Sequence, residues 1–436
     1  MTFVRSIGRW TMTALVINCI IGTGIFGLPG ELTRLLGRAS PIAMVLAALG
    51  IAIIMGCLAE VASQFAEPGG PYLYVRTAFG RFLGMQVGWF HLLADVAGVA
   101  GCAVLFANYL TVFLRSPLNA WQRASLIAIV IAIPAVANCL GVRSGATLSN
   151  MLTIAKLSPL ALLVLLGLIR FAHQPQVIHA SEITSPGLSN WVRAMVFLLF
   201  VFAGPEGALI PGGEIREPRR TIPFSLAAGL LACAAIFTLL QFITVATTST
   251  KMTDQPLADT ASVLLGGGGA VFVSIAVMLS TYGWISGVLL YGPRLVFALA
   301  ANGDCPAFLA RLHPRFHTPA VGIVLYALTA WLLASSGTFL WIIALSSGAI
   351  AVFYIGSCAA LIRLRKLRPN ADALRVPLGP LLSIAGIAIC VAVISGLKRN
   401  ELLIMCVPAL IAAANWLCVK PRHQQEGEAR LKAAAR

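Results

Sequence analysis

Charge is what this sequence has least of, and negative charge above all. Only 11% of the 436 residues are charged, against about 25% in average globular chains. Asp and Glu together number 15 and face 31 Lys and Arg. Too little polar surface remains to coat a soluble particle, and the mean hydropathy of +0.90 agrees. No linker is long enough to house a soluble domain. The ten cysteines are scattered, mostly in apolar runs, with no CxxC and no Cys/His metal spacing. They read as small core hydrophobes, and the sequence points to no metal and no cofactor. Arg5 and Arg9 precede an apolar segment, but it is too long for a signal peptide and lacks the small-residue cleavage site. It reads as a retained first span.

What is abundant is hydrophobic sequence, 59% of the chain. Apolar runs of about 20 residues can each cross a hydrocarbon core about 30 Å thick. Twelve such runs are predicted, at roughly 10–36, 41–65, 83–114, 122–140, 151–172, 190–212, 223–247, 268–300, 319–336, 339–362, 379–397 and 401–419. The expected fold is an all-α membrane protein forming one domain over 1–436, with a cytoplasmic tail at 420–436. Twenty of the 31 basic residues fall in the two termini and the even-numbered loops, and nine in the odd-numbered loops. Basic excess marks the cytoplasmic side, so both termini are expected there. Basic residues spread over short loops also exclude nucleic acid as the partner. The lipid bilayer is the surface they face.

Two spans carry helix-weakening residues where a membrane helix must hydrogen-bond its own backbone. The first is "VINCIIGTGIFGLPGEL", with Gly22, Gly24, Gly27, Pro29 and Gly30. The second is "FLLFVFAGPEGALIPGG", with Gly204, Pro205 and Gly207. Broken helices are tolerated in a membrane only where they face protein or a water-filled cavity. Gly22 and Gly204 are 182 residues apart, and the breaks recur after five spans. That spacing predicts two repeats, about 10–172 and 190–362, with two appended helices at about 379–419. Matched interruptions in two halves point to a transporter's midplane site. A break frees amides at the start of its second half, which suit a carboxylate. It frees carbonyls at the end of its first half, which suit an ammonium. One broken span can therefore hold both ends of a zwitterion.

Four ordered segments then carry a family resemblance: "IIGTGIFGLPG", "AEPGGPYLYVRTAFG", "GGEIREPRRTIPFSL" and "PRLVFALAANGDCPAFLARLHPRFHTPAVG". Together they resemble the amino acid–polyamine–organocation superfamily of secondary transporters. "TIAKLSPL" and "LRVPLGP" look most like its L-type amino acid transporters and their bacterial exchanger relatives. The resemblance implies a five-plus-five inverted repeat in which spans 1, 2, 6 and 7 rock against spans 3, 4, 8 and 9. It implies that Gly22, Thr23, Gly24 and Ile25 hold the substrate carboxylate, and that Ile20, Phe200 and Ala203 offer carbonyls to the amino group. It implies a bacterial cytoplasmic (inner) membrane. Some relatives take an accessory subunit through a cysteine in the loop after span 3. The loop "RSPLNAWQR" has none, so no disulfide-linked partner is expected.

Ionisable residues at membrane depth are functional candidates by default. Lys156 in span 5 sits where several members of the resembled family have a lysine. It is expected to link spans 1, 5 and 8, as a structural cation or as the group that couples transport to a proton. Glu206 in the second break gates, senses protons or caps freed amides. Glu60 reads as structural, and Arg294 as snorkelling at a span end. His91 and Asp95 share a face of span 3 and are expected to satisfy each other inside the bundle, with a proton relay as the other reading. Phe200, Phe202 and Trp284 are candidate pocket walls. Two aromatic residues beside the break, and no free acid beyond Glu206, favour neutral L-amino acids. A cationic amino acid or polyamine would need a further anion, for which Asp95 is the spare. A channel would show a repeated filter ring, and none is visible; an alternative from another class is an intramembrane enzyme using His91 and Asp95 as an acid/base pair. It would need further clustered polar residues, and none is evident.

Overall fold

The computed structural model describes residues 7–65, 70–114, 116, 118–141, 146–173 (side chains from 156), 186–209, 215–247, 253–369 and 373–419. The tail at 420–436 and parts of the "EPGG", "RSP" and "IPGGE" connectors lie outside them. The first apolar run forms three short helices, α1 (Arg9–Ile20), α2 (Gly24–Gly27) and α3 (Pro29–Leu36). There follow α4 (Ser40–Ala62), α5 (Gly70–Phe79), α6 (Arg81–Leu110), α7 (Ala120–Cys139), α8 (Ala146–His173) and α9 (Leu188–Phe202). A 3-10 turn at Pro205–Leu209 continues α9 beyond its break. The rest are α10 (Pro218–Thr247), α11 (Pro256–Leu265), α12 (Gly267–Ala301), α13 (Ala320–Ser336), α14 (Phe339–Leu367), α15 (Gly379–Ser395) and α16 (Arg399–Cys418).

Among the described residues, nine helices are long and apolar enough to cross a membrane. Helices α13 and α15, with 17 residues each, rise about 25 Å at 1.5 Å per residue and fall short of that length. Two helices, α5 and α11, lie between the predicted spans. Helix α5 opens at Gly70-Pro71, and α11 opens with Pro256 at its N-terminus. Proline suits the first turn of a helix, where its missing amide costs nothing. Leu46 and Leu49, Val324 and Leu328, and Leu403, Val407 and Leu410 are exposed at helical spacing. Such stripes are the lipid-facing sides of α4, α13 and α16.

The interior divides in two. One apolar cluster is built mainly from α6, α7, α12 and α13. The larger one joins α1 to α4, α9 and α10 with α14 and α15. Buried ion pairs fasten helix ends within each of these parts. Glu60 on α4 accepts two bonds from Arg365 on α14, at 2.6 and 2.7 Å, and a third from the Val376 amide at 2.8 Å. This is the structural role expected of Glu60. Asp304, after α12, accepts from Arg81 Nε at 2.7 Å and from the Tyr72 hydroxyl. Burial and the Asp304 carboxylate push the Tyr72 hydroxyl above its ordinary pKa. Arg193 on α9 and Glu401 on α16 form a bidentate pair at 2.7 Å.

Removing one partner of a buried pair leaves an uncompensated charge, at a cost of about 3–5 kcal/mol. Arg365 is partly exposed, so its replacement should sit at the low end. Arg365→Ala is expected to lower the melting temperature of the detergent-purified protein by several degrees. An unchanged melting curve would show that Glu60 is stabilised by other means.

Candidate functional site

The first span breaks as expected, and the break has a definite backbone. Helix α1 ends at Ile20, and Ile21 leaves helical geometry with ψ 85°. The Gly22 amide turns back to the Ile20 carbonyl at 2.8 Å. Helix α2 restarts at Gly24, with the Thr23 carbonyl accepting from Gly27 at 3.0 Å. Among the described backbone hydrogen bonds, the amides of Thr23, Gly24 and Ile25 have no acceptor, and the carbonyls of Asn18 and Cys19 no amide donor. Expected carboxylate contacts thus narrow. The Gly22 amide is taken, and the Ile20 carbonyl already accepts one bond.

The second break is similar. Helix α9 ends at Phe202, and Ala203 is extended with ψ 159°. The Ala203 amide bonds to the Phe200 carbonyl at 3.3 Å, so that carbonyl too has a donor. Gly204 has φ +117°, a conformation that L side chains rarely adopt.

The two breaks touch. A Cβ at Gly204 would stand 2.4 Å from the Cys19 carbonyl oxygen, and a Cβ at Gly24 would stand 2.8 Å from Val201 Cα. Each break therefore admits the backbone of the other only because a side chain is missing. Gly22 differs, since its nearest neighbour is the Trp284 ring at 3.6 Å, an ordinary contact.

Around this junction lies a cavity of about 300 Å³, at the small end of ligand pockets. Ile20, Gly22, Thr23, Gly24, Phe200, Ala203, Glu206, Trp284 and Lys156 line it. Two expected site residues do not. Ile25 is buried away from the lining, and Phe202 packs against Phe237 with ring centroids 5.5 Å apart. A side chain on the opposite face of α9 from Phe200 points into the larger apolar core.

Polar groups fix the lining. Lys156 Nζ donates to Asn18 Oδ1 at 3.1 Å, joining α8 to α1. Glu206 Oε2 accepts from the Gly204 amide at 3.0 Å and from the Tyr354 hydroxyl at 2.7 Å. Glu206 thus caps an amide that the break frees. Cys102 on α6 donates to Thr23 Oγ1 at 3.5 Å, leaving the threonine hydrogen available. Asn18, Tyr354 and Cys102 escaped sequence reasoning. Asn18 gave a signal, as an uncharged polar residue one turn before the Gly22 break. Tyr354 gave none, because nothing in the sequence pairs span 10 with span 6.

His91 and Asp95 also line the cavity. The expected mutual satisfaction is absent: Nε2 to Oδ2 is 3.8 Å, beyond a hydrogen bond. His91 stacks on Phe353 instead, with centroids 4.8 Å apart. Among the described residues no metal-binding cluster occurs.

Long apolar helices around a small, largely apolar cavity, at the meeting of two helix breaks, define a polytopic membrane protein of transporter type. The family follows from comparison: a model described as "Amino acid permease" matches residues 7–414, and the chain belongs to that family. It is 28% identical over 399 residues to the serine/threonine exchanger SteT of Bacillus subtilis, covering 88% of this chain and 89% of that one. It is 24% identical over 412 residues to the arginine/agmatine antiporter of Chlamydia pneumoniae, covering 88% and 84%. It is 26% identical over 381 residues to the mouse large neutral amino acids transporter small subunit 2, covering 84% and 71%. These relatives are transporters, so the intramembrane enzyme is set aside.

The steric argument ranks three glycines. Gly24→Ala and Gly204→Ala should each destabilise the protein by about 1–3 kcal/mol, as overpacked sites do, while Gly22→Ala should be nearly neutral. Thermal melts of the three variants test the ranking. Equal effects at all three would contradict the backbone contact.

Proposed function

We propose that the protein is a secondary active transporter, a permease or exchanger, that moves amino acids across the bacterial cytoplasmic membrane by alternating access. The observation that carries this reading is the junction of two broken helices at one cavity. The free amides of Thr23 and Gly24, with the Thr23 hydroxyl, would take the substrate carboxylate. Carbonyls at the ends of α1 and α9, Ile20 and Ala203 among them, would take the ammonium. Both interactions would be strongest with water excluded from the cavity.

Neutral L-amino acids are the leading substrates. Phe200, Trp284, Ile350 and Phe353 make the wall largely apolar, and Glu206 is engaged within the protein. One observation favours a second reading, a cationic amino acid or polyamine: the additional anion it requires, Asp95, lines the cavity.

The wider architecture follows the same reading. The broken α1–α3 and the shorter α13 and α15 would each count as a span. With the nine longer stretches, Pro29–Ala62 being shared between spans 1 and 2, they make up the twelve-span repeat fold with both termini cytoplasmic. The two apolar clusters would be the rocking bundle and its scaffold. Lys156, which donates to Asn18 one turn before the break, would report proton uptake to span 1. No disulfide-linked subunit is required.

Counterflow in proteoliposomes tests the function. Preloading with unlabelled neutral amino acid should drive uptake of the labelled form, and absence of uptake for every amino acid would reject the reading. Lys156→Ala should lose the dependence of uptake on an imposed proton gradient. Normal uptake with unchanged gradient dependence would remove Lys156 from coupling.

A further inference from the structure

Away from the two helix breaks, Asp95 is the acidic side chain of the lining with an unpartnered oxygen. Its side chain is 13% exposed, and Oδ2 has no hydrogen-bond partner. His91, one turn earlier on α6, has an unpartnered Nδ1. An unpaired buried acceptor is costly, and more so if charged. Its neighbours in the cavity do not relieve it. Lys156 turns to Asn18. Ser346 donates to the Ala94 carbonyl at 2.9 Å. Glu206 is a second acid, already holding the Gly204 amide and the Tyr354 hydroxyl. The Tyr291 and Tyr326 hydroxyls lie within electrostatic reach of Asp95, yet neither bonds Oδ2, and the cavity is where a substrate donor can enter.

The amino and carboxylate groups of a substrate do not fill this role, because the helix breaks supply their partners. What remains of an amino acid is its side chain. We propose that Asp95 forms a side-chain subsite that selects amino acids ending in a hydrogen-bond donor over their apolar isosteres. The inference rests on the amino acid reading above and names the part of the substrate that this reading leaves open. A hydroxyl and an ammonium share the required chemistry. An apolar isostere leaves Oδ2 unpaired and also loses the bond. Sites built to bond a substrate hydroxyl or amine discriminate strongly against analogues that lack it, whereas apolar pockets separate isosteres poorly.

The test uses isosteric pairs on the purified full chain: threonine against valine, and lysine against 2-aminoheptanoic acid. Alanine serves as a head-group control. Affinities come from ligand-dependent thermal stabilisation and from competition against labelled substrate in proteoliposomes. Wild type should favour the donor member of at least one pair by roughly tenfold or more. A threonine preference identifies a hydroxyl and a lysine preference a cation. Asp95→Leu should abolish the preference while alanine still binds. Asp95→Asn keeps an acceptor but no charge, so it should abolish a lysine preference and weaken a threonine preference. Equal wild-type affinities within both pairs would overturn the subsite, as would a preference unchanged in Asp95→Leu. If Asp95→Leu fails to fold, an unchanged preference in Asp95→Asn overturns it. Alanine binding without any pair preference sinks the subsite alone. Failure of every amino acid to bind wild type sinks the head-group reading and this inference together.

Discussion

The structure depends on one steric constraint: two interrupted helices pass each other with backbone against backbone. Gly204 accepts the Cys19 carbonyl where a Cβ would stand 2.4 Å away, and Gly24 accepts Val201 where a Cβ would stand 2.8 Å away. Close approach explains why glycine occurs on both sides. It also explains why the cavity is small and polar where it meets the breaks. Backbone groups that would pair within a continuous helix are held at its edge. In a membrane such groups must find partners inside the protein, in water or in a ligand. The rest of the lining can be understood as the partial answer to that demand.

Glu206 supplies part of the answer by accepting the Gly204 amide, and Tyr354 holds the carboxylate in place from α14. The bond between Lys156 and Asn18 steadies the end of α1. The amides of Thr23 and Gly24 have no acceptor among the described backbone hydrogen bonds. Further away, Glu60 with Arg365, and Asp304 with Arg81, fasten helix ends to their neighbours. These pairs leave the middle of the molecule free to carry unsatisfied polar groups. The result is a molecule with paired charges at helix ends and unpaired backbone groups at the two breaks.

Much of this was legible in the sequence, for physical reasons. Scarce charge and long apolar runs dictated helices in a membrane. Glycine and proline at matched places located both breaks. Lys156, Glu206 and Trp284 were found because a polar or bulky side chain in a membrane helix needs a reason. What was not legible depends on neighbours distant in the chain. The Gly22 amide is occupied by a turn to Ile20, which only the local backbone geometry reveals. Phe202 differs from Phe200 by two positions and faces Phe237 instead of the cavity. His91 and Asp95 have the spacing of a bonded pair, yet His91 stacks on Phe353 and the pair stays open. Helices α5 and α11 were hidden as connectors because their glycine and proline read as loop signals.

The family relation fits this arrangement without specifying the cargo, since relatives named for serine and threonine, for arginine and agmatine, and for large neutral amino acids all match at 24–28% identity. The central claim concerns the head group common to all amino acids. It is tested most directly by an experimental structure of the protein with a transported amino acid bound. The carboxylate is expected about 3 Å from the amides of Thr23 and Gly24, within hydrogen-bond reach, and the ammonium at the carbonyl ends of α1 and α9. A ligand bound with its head group away from both breaks would contradict the account.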